Sequence, residues 1–269
     1  MSVWQAIFLG VVQGITEFLP VSSSGHLVIV SYILDWPNPG LTLGAILHLG
    51  TLLAIVIYFW EDLWLLVVAA VESLRLGSLA DPEARIAWGL VLGTVPGAVF
   101  GFLFEDFFER LFGAPRAAAG FLLVTALLLI VAERVGSRLR PLTALSWLDA
   151  LLIGFAQTLA IAPGISRSGS TITGAMLLGF RREDAARFSF LLAVPITLGS
   201  GLYQVLGLAT AGATEASLGA TMAGLVAAAV AGYLAIAALL AVIRRRGSLF
   251  MFAAYCTLLS LLVLTGTLG

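Results

Sequence analysis

Two short polar stretches interrupt an otherwise apolar chain, and each carries residue types that handle phosphate. The first runs from Gln13 to His26 and contains Glu17 and a cluster of serines. The second, APGISRSGST over 162–171, contains Arg167 and several hydroxyl side chains. A carboxylate or an imidazole can accept a proton, a serine can attack phosphorus, and a planar guanidinium can bind two phosphate oxygens at once. The residue types therefore predict either phosphoryl transfer or the binding of an anion.

The composition of the chain makes these polar stretches unusual. Of the 269 residues 60% are hydrophobic and 11% are charged, and the mean hydropathy is +1.07. These values indicate an integral membrane protein. Because a charge at the centre of a membrane helix costs about 2.5–3.5 kcal/mol, we expect Glu17 and Arg167 to be functional, and the alternative is an internal ion pair that only joins two parts of the chain. The formal net charge of −1 gives no indication of a nucleic acid partner.

Hydropathy predicts six transmembrane helices and two broken apolar regions. The six helices are expected at about 41–60, 84–104, 117–133, 187–208, 217–243 and 249–266. The broken regions, 2–34 and 146–180, are interrupted by Pro, Gly and Ser, so that each has a longer and a shorter limb. The shorter limb reaches only about halfway across a bilayer at ~1.5 Å per residue. We therefore predict two re-entrant helical hairpins, whose tips must lie against protein or a watery cavity.

The arginines predict how the chain is oriented. They form clusters at 134–140, 181–187 and 244–246. The positive-inside rule assigns all three clusters to the cytoplasmic side, so the region 146–180 must enter and leave by the same side. Counting backward assigns the first hairpin and both termini to the outside, and it leaves an interfacial helix at about 63–74 on the inside.

The two broken regions also resemble each other. Residues 10–25 and 154–169 align without a gap and share five of sixteen residues. Three predicted spans separate the regions, so the second copy is expected to be inverted, with a site where the two tips meet near the midplane. We predict an all-α integral membrane protein with a single domain over 1–269, in which repeat one covers about 1–133 and repeat two about 146–266.

Several polar residues at the tips have two interpretations. Gln13 and Glu17 are four apart and share one helix face. The serines of each tip can cap the return helix, whose N-terminal N–H groups attract anions, but each serine alone could simply bond to its own backbone. His48 lies within an uninterrupted span and is interpreted as structural, and Gln157 is either structural or part of the site.

The two stretches are similar to the signature motifs of a known family. QGITEFLPVSSSGH over 13–26 and PGISRSGST over 163–171 closely resemble the two motifs of the undecaprenyl-diphosphate phosphatases, the bacitracin-resistance family. The resemblance implies dephosphorylation of the lipid carrier diphosphate to its monophosphate on the outer face of the bacterial plasma membrane, which recycles the carrier for cell-wall synthesis. It also implies a divalent cation, Mg²⁺ or Ca²⁺, an inverted-repeat architecture, and often a homodimer.

The resemblance also implies roles for individual residues. Glu17, Ser23, His26 and Arg167 match catalytic positions, and Glu17 is in addition a candidate metal ligand. The candidates for substrate binding are Gln13, Ser22, Ser24, Gly164, Ser166, Ser168 and Thr171. Gln13 occupies the first acidic position of the glutamate-rich motif, so only one strong carboxylate remains for a cation.

Three mechanisms are compatible with these residues, and transport is the rival function. Ser23 could attack the terminal phosphorus while Glu17 or His26 accepts its proton, His26 could attack directly, or a water on a cation held by Glu17 and the diphosphate could attack. Alternatively, the site could carry an anion or flip the lipid monophosphate, because inverted repeats with broken helices are typical of secondary transporters. A nucleophile beside an arginine favours the enzyme, since a carrier needs only binding groups.

Overall fold

The computed structural model describes residues 1–36, 40–104, 111, 114–211, 217–245 and 247–268, without the side chains of 40–42 and 202–211. Within these residues all of the secondary-structure elements longer than an isolated bridge are helices, as predicted. Arg246, from the third arginine cluster, lies outside them.

Eleven α-helices are present in the described part of the chain. They are α1 (Val3–Phe18), α2 (Ser23–Ile33), α3 (Gly40–Tyr58), α4 (Trp60–Leu76), α5 (Pro82–Leu103), α6 (Pro115–Val135), α7 (Trp147–Thr158), α8 (Arg167–Leu177), α9 (Arg182–Ala211), α10 (Leu218–Arg244) and α11 (Phe250–Leu264). Two 3-10 turns, Leu142–Ala144 and Leu159–Ile161, precede and follow α7.

Several of these helices are apolar enough for a membrane protein. Within the described residues, α5, α6 and α10 are long and apolar enough to cross a membrane, and α3 with α4 would give a fourth span if the pair, bent by 81°, were counted as one. The predicted interfacial helix at 63–74 lies within α4. The predicted span 249–266 is shorter than expected, because α11 has 15 residues. The total of six spans therefore stays a prediction.

Both broken regions fold as pairs of helices. The second pair is α7 and α8, and the end of α8 lies next to the start of α7. Arg140, which precedes α7, bonds both to the residues that follow α8 and to the first turn of α7. Its backbone N–H donates to the Gly179 carbonyl at 2.9 Å, and its guanidinium donates to the Leu178 carbonyl at 2.8 Å and to Asp149 Oδ2 at 2.7 Å. The hydrogen bonds to Asp149 raise the pKa of the Arg140 guanidinium above its ordinary value. In the first pair, the ring of Trp36 after α2 packs edge-on against Phe8 of α1.

The predicted arginine clusters lie together at one end of the molecule. Arg138 and Arg182, from the two sides of the α7–α8 pair, both form ion pairs with Glu133 at the end of α6. Arg244, at the end of α10, donates to Glu183 Oε1 at 2.8 Å. The chain segments on both sides of α7–α8 and the end of α10 therefore share one end, as the charge pattern predicts.

The two halves of the chain use the same packing scheme. α1 packs along α10, and α7 packs along α5. Where α1 crosses α10, a Cβ on Gly10 would lie 2.3 Å from the Gly224 carbonyl oxygen. Where α7 crosses α5, a Cβ on Gly154 would lie 2.4 Å from the Gly93 carbonyl oxygen. Such close crossings need residues without side chains. Gly10 and Gly154 occupy equivalent positions in the aligned segments 10–25 and 154–169.

The largest buried apolar cluster among the described residues packs α8, which follows the second tip, against α6 and α9. It includes Leu122 of α6, Ile172 of α8 and Phe190 of α9, all fully buried. Phe18, the last residue of α1, packs edge-on against Phe190, with ring centroids 5.6 Å apart. The ends of both broken regions are therefore held by one continuous core.

Candidate active site

The breaks in the two helical pairs touch each other. A Cβ on Gly25, at the start of α2, would lie 2.8 Å from the Cα of Gly164, which precedes α8. Gly164 has φ +103°, a conformation that side-chain-bearing residues rarely adopt, and Ser22 has φ 70°. The sequence therefore places glycine on both sides of the closest approach between the tips.

Hydrogen bonds run between the tips in both directions. The Ser22 hydroxyl accepts from the N–H of Gly25 at 3.3 Å, which caps α2, and from the N–H of Gly164 at 3.1 Å. The Ser168 hydroxyl donates to the Leu19 carbonyl at 3.2 Å. Ser22, Ser168 and Gly164, which are candidates for substrate binding, thus connect the two tips in this structure.

Ser166 and Thr171, two further substrate-binding candidates from the second tip, form hydrogen bonds with neighbouring parts of the chain. Ser166 caps α8 by accepting from the N–H of Gly169 at 3.0 Å, and its own N–H donates to Thr125 Oγ1 at 2.9 Å. The hydroxyl oxygens of Thr171 and Ser189 lie 2.6 Å apart, which ties α8 to α9. These residues hold the second tip in position.

Glu17, which is 7% exposed, receives hydrogen bonds from both tips. Its Oε1 accepts from Arg167 Nη2 at 3.1 Å, and its Oε2 accepts from Ser23 Oγ at 2.5 Å and from Gln13 Nε2 at 3.0 Å. Arg167 is fixed on its other side by the Ser189 carbonyl, 3.0 Å from Nη1. The Ser23 proton therefore points at a carboxylate, which is the contact that a general base needs.

His26 lies in the same region, and its two ring nitrogens have partners other than Ser23. Its Nδ1 is 2.7 Å from the Ser22 carbonyl oxygen, which can only accept, so Nδ1 carries a proton. In the neutral ring Nε2 then accepts from the Tyr255 hydroxyl at 2.8 Å, and the two rings stack. Both nitrogens of His26 are thus engaged, and Glu17 is the base that reaches Ser23.

Four residues near the tips did not emerge from the sequence analysis as site candidates. They are Thr125, Ser189, Tyr255 and His48, whose Nε2 lies 3.6 Å from Glu17 Oε2. His48 is interpreted as structural from the sequence, and an ionisable residue inside an apolar helix is also a sign that could have suggested function. Tyr255 and Thr125 have no charge that would mark them in an apolar helix. Ser189 accepts from Arg167 through its backbone carbonyl, which any residue type could supply. Gln157 is buried, and neither atom of its amide has a hydrogen-bond partner among the described residues.

The residues around Glu17 do not fit a resident divalent cation. Mg²⁺ and Ca²⁺ take six or more oxygen ligands, with carboxylates prominent among them. Both oxygens of the Glu17 carboxylate already accept hydrogen bonds. Of the side-chain oxygens of Glu17 and Gln13, Gln13 Oε1 is the one without a hydrogen-bond partner among the described residues. No group of three or more His, Cys, Asp or Glu side chains suited to a metal occurs among the described residues.

The arrangement is suited to an anionic substrate. α2 begins at Ser23 and α8 begins at Arg167, so the positive ends of two helix dipoles meet at the tips. The side chain of Arg167 is 15% exposed, and Ser24, in the first turn of α2, is half-buried. A serine hydroxyl, a carboxylate, a guanidinium and two helix N-termini thus surround one place, an arrangement compatible with phosphoryl transfer.

Comparison with known proteins gives matches along almost the whole chain. The family described as bacitracin resistance protein BacA matches residues 6–262. A protein named undecaprenyl-diphosphatase from Moorella thermoacetica is 46% identical over 263 residues, covering 98% of this chain and 97% of its own length. A protein of the same name from Thermomicrobium roseum is 43% identical over 272 residues, covering 98% of both chains.

Proposed function

The chain belongs to the bacitracin resistance protein BacA family, and on that premise we propose that it is a membrane phosphatase of the undecaprenyl-diphosphatase kind. It hydrolyses undecaprenyl diphosphate to undecaprenyl phosphate and inorganic phosphate, and so returns the lipid carrier to cell-wall synthesis. The site supports this function on its own terms, because it combines a nucleophile with groups that bind phosphate.

The contact between Ser23 and Glu17 carries the proposal. The Ser23 hydroxyl donates at 2.5 Å to Glu17 Oε2, while Arg167 binds Oε1 at 3.1 Å, so the carboxylate is fixed with Oε2 toward the nucleophile. A carrier of anions would need the arginine and the helix N-termini, but it would have no use for a serine aimed at a carboxylate. Transport is therefore the less favoured alternative.

The proposed reaction has two steps. Ser23 Oγ attacks the terminal phosphorus, the bond from phosphorus to the bridging oxygen breaks, and the lipid monophosphate leaves with the electron pair while Glu17 takes the Ser23 proton. Glu17 then releases that proton, and water attacks the phosphoserine while Glu17 accepts a proton from the water. The bond from phosphorus to Ser23 Oγ breaks as Glu17 passes this proton to Oγ, so the Ser23 hydroxyl is restored and phosphate departs. Arg167 and the first turns of α2 and α8 stabilise the charge on the phosphoryl oxygens in both steps.

The other two mechanisms are less well supported by the arrangement of the residues. Direct attack by His26 requires a free Nε2, which here accepts from Tyr255. Attack by a cation-bound water requires a cation held by Glu17, whose oxygens are engaged. The divalent cation predicted from the family remains a proposal: it would arrive bound to the diphosphate, where it would neutralise phosphate charge.

We also infer how the protein lies in the membrane. The α1–α2 pair enters from the outer side and the α7–α8 pair from the cytoplasmic side, as halves of an inverted repeat, with the active site open to the periplasmic face of the inner membrane. The matched crossings of α1 with α10 and of α7 with α5 support the repeat, and the ion pairs around Glu133 support a common cytoplasmic end for the arginines. Both repeats belong to one membrane domain, and the family resemblance adds a homodimer, which light scattering of the purified protein would test.

Phosphate release from a short prenyl diphosphate in detergent tests the proposed activity. We expect the purified protein to release phosphate and Arg167→Ala to lose at least ~100-fold, the range for removing a fixed donor to the transition state. Arg75→Ala, which removes an exposed arginine on α4, is the matched control and should keep the activity. Because detergent leaves no second compartment, a carrier would release nothing, and that outcome would end the proposal.

The covalent step has its own test. A Ser23→Ala variant should release no more than a trace of phosphate, and quenching the wild-type protein during turnover with a radiolabelled terminal phosphate should leave label on Ser23. Near-normal turnover by Ser23→Ala would remove serine as the nucleophile.

A further inference from the structure

His48 lies beside Glu17, yet the proposed reaction gives it no part. It projects from α3, which is unbroken between its described ends, and its Nε2 is 3.6 Å from Glu17 Oε2, the same oxygen that receives the Ser23 proton. The side chain of His48 is 35% exposed, whereas that of Glu17 is 7% exposed. The imidazole thus bridges a buried carboxylate and the surface of the site.

The hydrogen bond at the far side of the ring decides which nitrogen of His48 can accept a proton. Nδ1 lies 2.7 Å from the Gly44 carbonyl oxygen, one turn earlier in α3. A carbonyl oxygen only accepts, so Nδ1 carries a proton and the lone pair of the neutral ring is on Nε2, facing Glu17. The 3.6 Å separation exceeds a hydrogen bond, which fits two acceptors without a proton between them.

Glu17 must lose the Ser23 proton before it can act as a base toward the water that attacks the phosphoserine. Arg167 and the amide nitrogen of Gln13 only donate to Glu17, and Ser23 Oγ cannot take the proton back while it is bonded to phosphorus. Among these contacts of Glu17, His48 is the side chain whose neutral ring presents a nitrogen lone pair to Oε2.

We propose that His48 receives from Glu17 the proton that Ser23 loses. The Ser23 proton passes to Glu17 Oε2 as the bond from Oγ to phosphorus forms, and then from Oε2 to His48 Nε2. This gives an imidazolium beside a restored carboxylate, and the imidazolium passes the proton to water at its exposed edge. Glu17 is then ready to accept a proton from the water that attacks the phosphoserine.

His48 acts through Glu17 and does not contact the phosphate, so it should affect the rate and not the binding of substrate. The inference rests on the proposed phosphatase activity. In detergent, we expect His48→Gln to lower kcat by roughly 100-fold, the lower end of the range of general acid–base effects, with KM changed by less than about twofold. Glutamine keeps a similar length and hydrogen-bonding capacity but cannot carry the proton, so a merely structural role would tolerate it.

Chemical rescue gives the second readout. His48→Ala should be as slow as His48→Gln, and added imidazole should restore its kcat, because the exposed edge of the site admits a small base. Thr51→Val is the control: it removes a hydrogen bond of 2.8 Å to the His48 carbonyl on the same helix but leaves the imidazole. It should remain near wild type and should not respond to imidazole.

The outcomes separate this inference from the proposed function. If the wild-type protein releases phosphate and His48→Gln has the same kcat, the relay is overturned and the phosphatase activity stands. The proton would then leave with the departing phosphate. Failure of imidazole to raise the kcat of folded His48→Ala would also overturn the relay. A wild-type protein that releases no phosphate would instead overturn the function on which the relay rests.

Discussion

Glu17 and Arg167 are 150 residues apart in the chain, and their side chains form an ion pair of 3.1 Å where the two helix breaks meet. The guanidinium also reaches the Ser189 carbonyl through Nη1, so Arg167 spans from α1 to α9. This double attachment depends on the shape of the guanidinium as much as on its charge.

Replacing Arg167 by lysine should therefore fail in spite of the equal charge. A lysine ammonium is a point donor on a flexible stem and cannot hold Glu17 and Ser189 in one plane. We expect Arg167→Lys to lower kcat by roughly 10- to 100-fold in the phosphate-release assay, less than the loss expected when a fixed donor is removed entirely. Arg75→Lys is the matched control, and full activity of Arg167→Lys would mean that charge alone suffices.

Enlarging Gly25 should separate the tips. The added methyl of Gly25→Ala would lie 2.8 Å from the Cα of Gly164, and backbone cannot move aside as a side chain can. We expect a loss of about 1–3 kcal/mol in the free energy of unfolding, the usual range for overpacking, together with reduced activity. Thermal unfolding in detergent measures the first effect.

Gly120→Ala provides the comparison for that variant. Among the described residues, a Cβ on Gly120 of α6 would meet no atom within 4 Å beyond the adjacent backbone of its own helix, so the stability of Gly120→Ala should equal or exceed that of the wild-type protein. Equal behaviour of the two alanine variants would show that the contact between the tips is not close in solution.

The polar residues of the tips could be identified from the sequence because charge and proline are rare in this chain. Glu17 and Arg167 are conspicuous in apolar surroundings, and the breaks next to them follow from Pro, Gly and Ser. The same reasoning could not assign the serines, because a capping hydroxyl and a phosphate-binding hydroxyl occur at the same position of a helix N-terminus. Only the coordinates show that Ser22 accepts from Gly164.

Other parts of the fold depend on packing that leaves no local pattern. Tyr255 meets His26 across 229 positions of the chain, and nothing in the run around Tyr255 indicates that partner. The 81° bend between α3 and α4 occurs at Phe59, without a proline or glycine to announce it. Hydropathy counts apolar residues, and it cannot tell a helix that continues from two helices that meet at an angle.

Removing the hydroxyl of Tyr255 should expose the free nitrogen of His26. In Tyr255→Phe the lone pair of Nε2 has lost its donor, so diethyl pyrocarbonate should modify His26 several-fold faster than in the wild-type protein. Mass spectrometry of the modified peptides measures the rate, and His48 in the same sample serves as an internal reference.

Tyr233→Phe, which removes another partly exposed tyrosine hydroxyl, should leave the rate at His26 unchanged. If Tyr255→Phe left that rate unchanged as well, the Tyr255 hydroxyl would not be occupying Nε2.

Cysteine labelling tests the proposed orientation in the membrane. Cys256 is fully buried, and its replacement by serine gives a background without thiols. In that background Ser2→Cys should react with a membrane-impermeant maleimide added outside intact cells, and Ser78→Cys should react only after the cells are opened. Both positions are exposed in the structure, so reaction of both from the same side would contradict the arrangement.

The ion pair between Glu17 and Arg167 has a consequence for how such a protein could arise. One half of the chain supplies the carboxylate and the serine, and the other supplies the guanidinium, so neither half alone holds the complete proposed site. If the two halves arose by gene duplication, the ancestral unit would have needed a second copy of itself to complete that site.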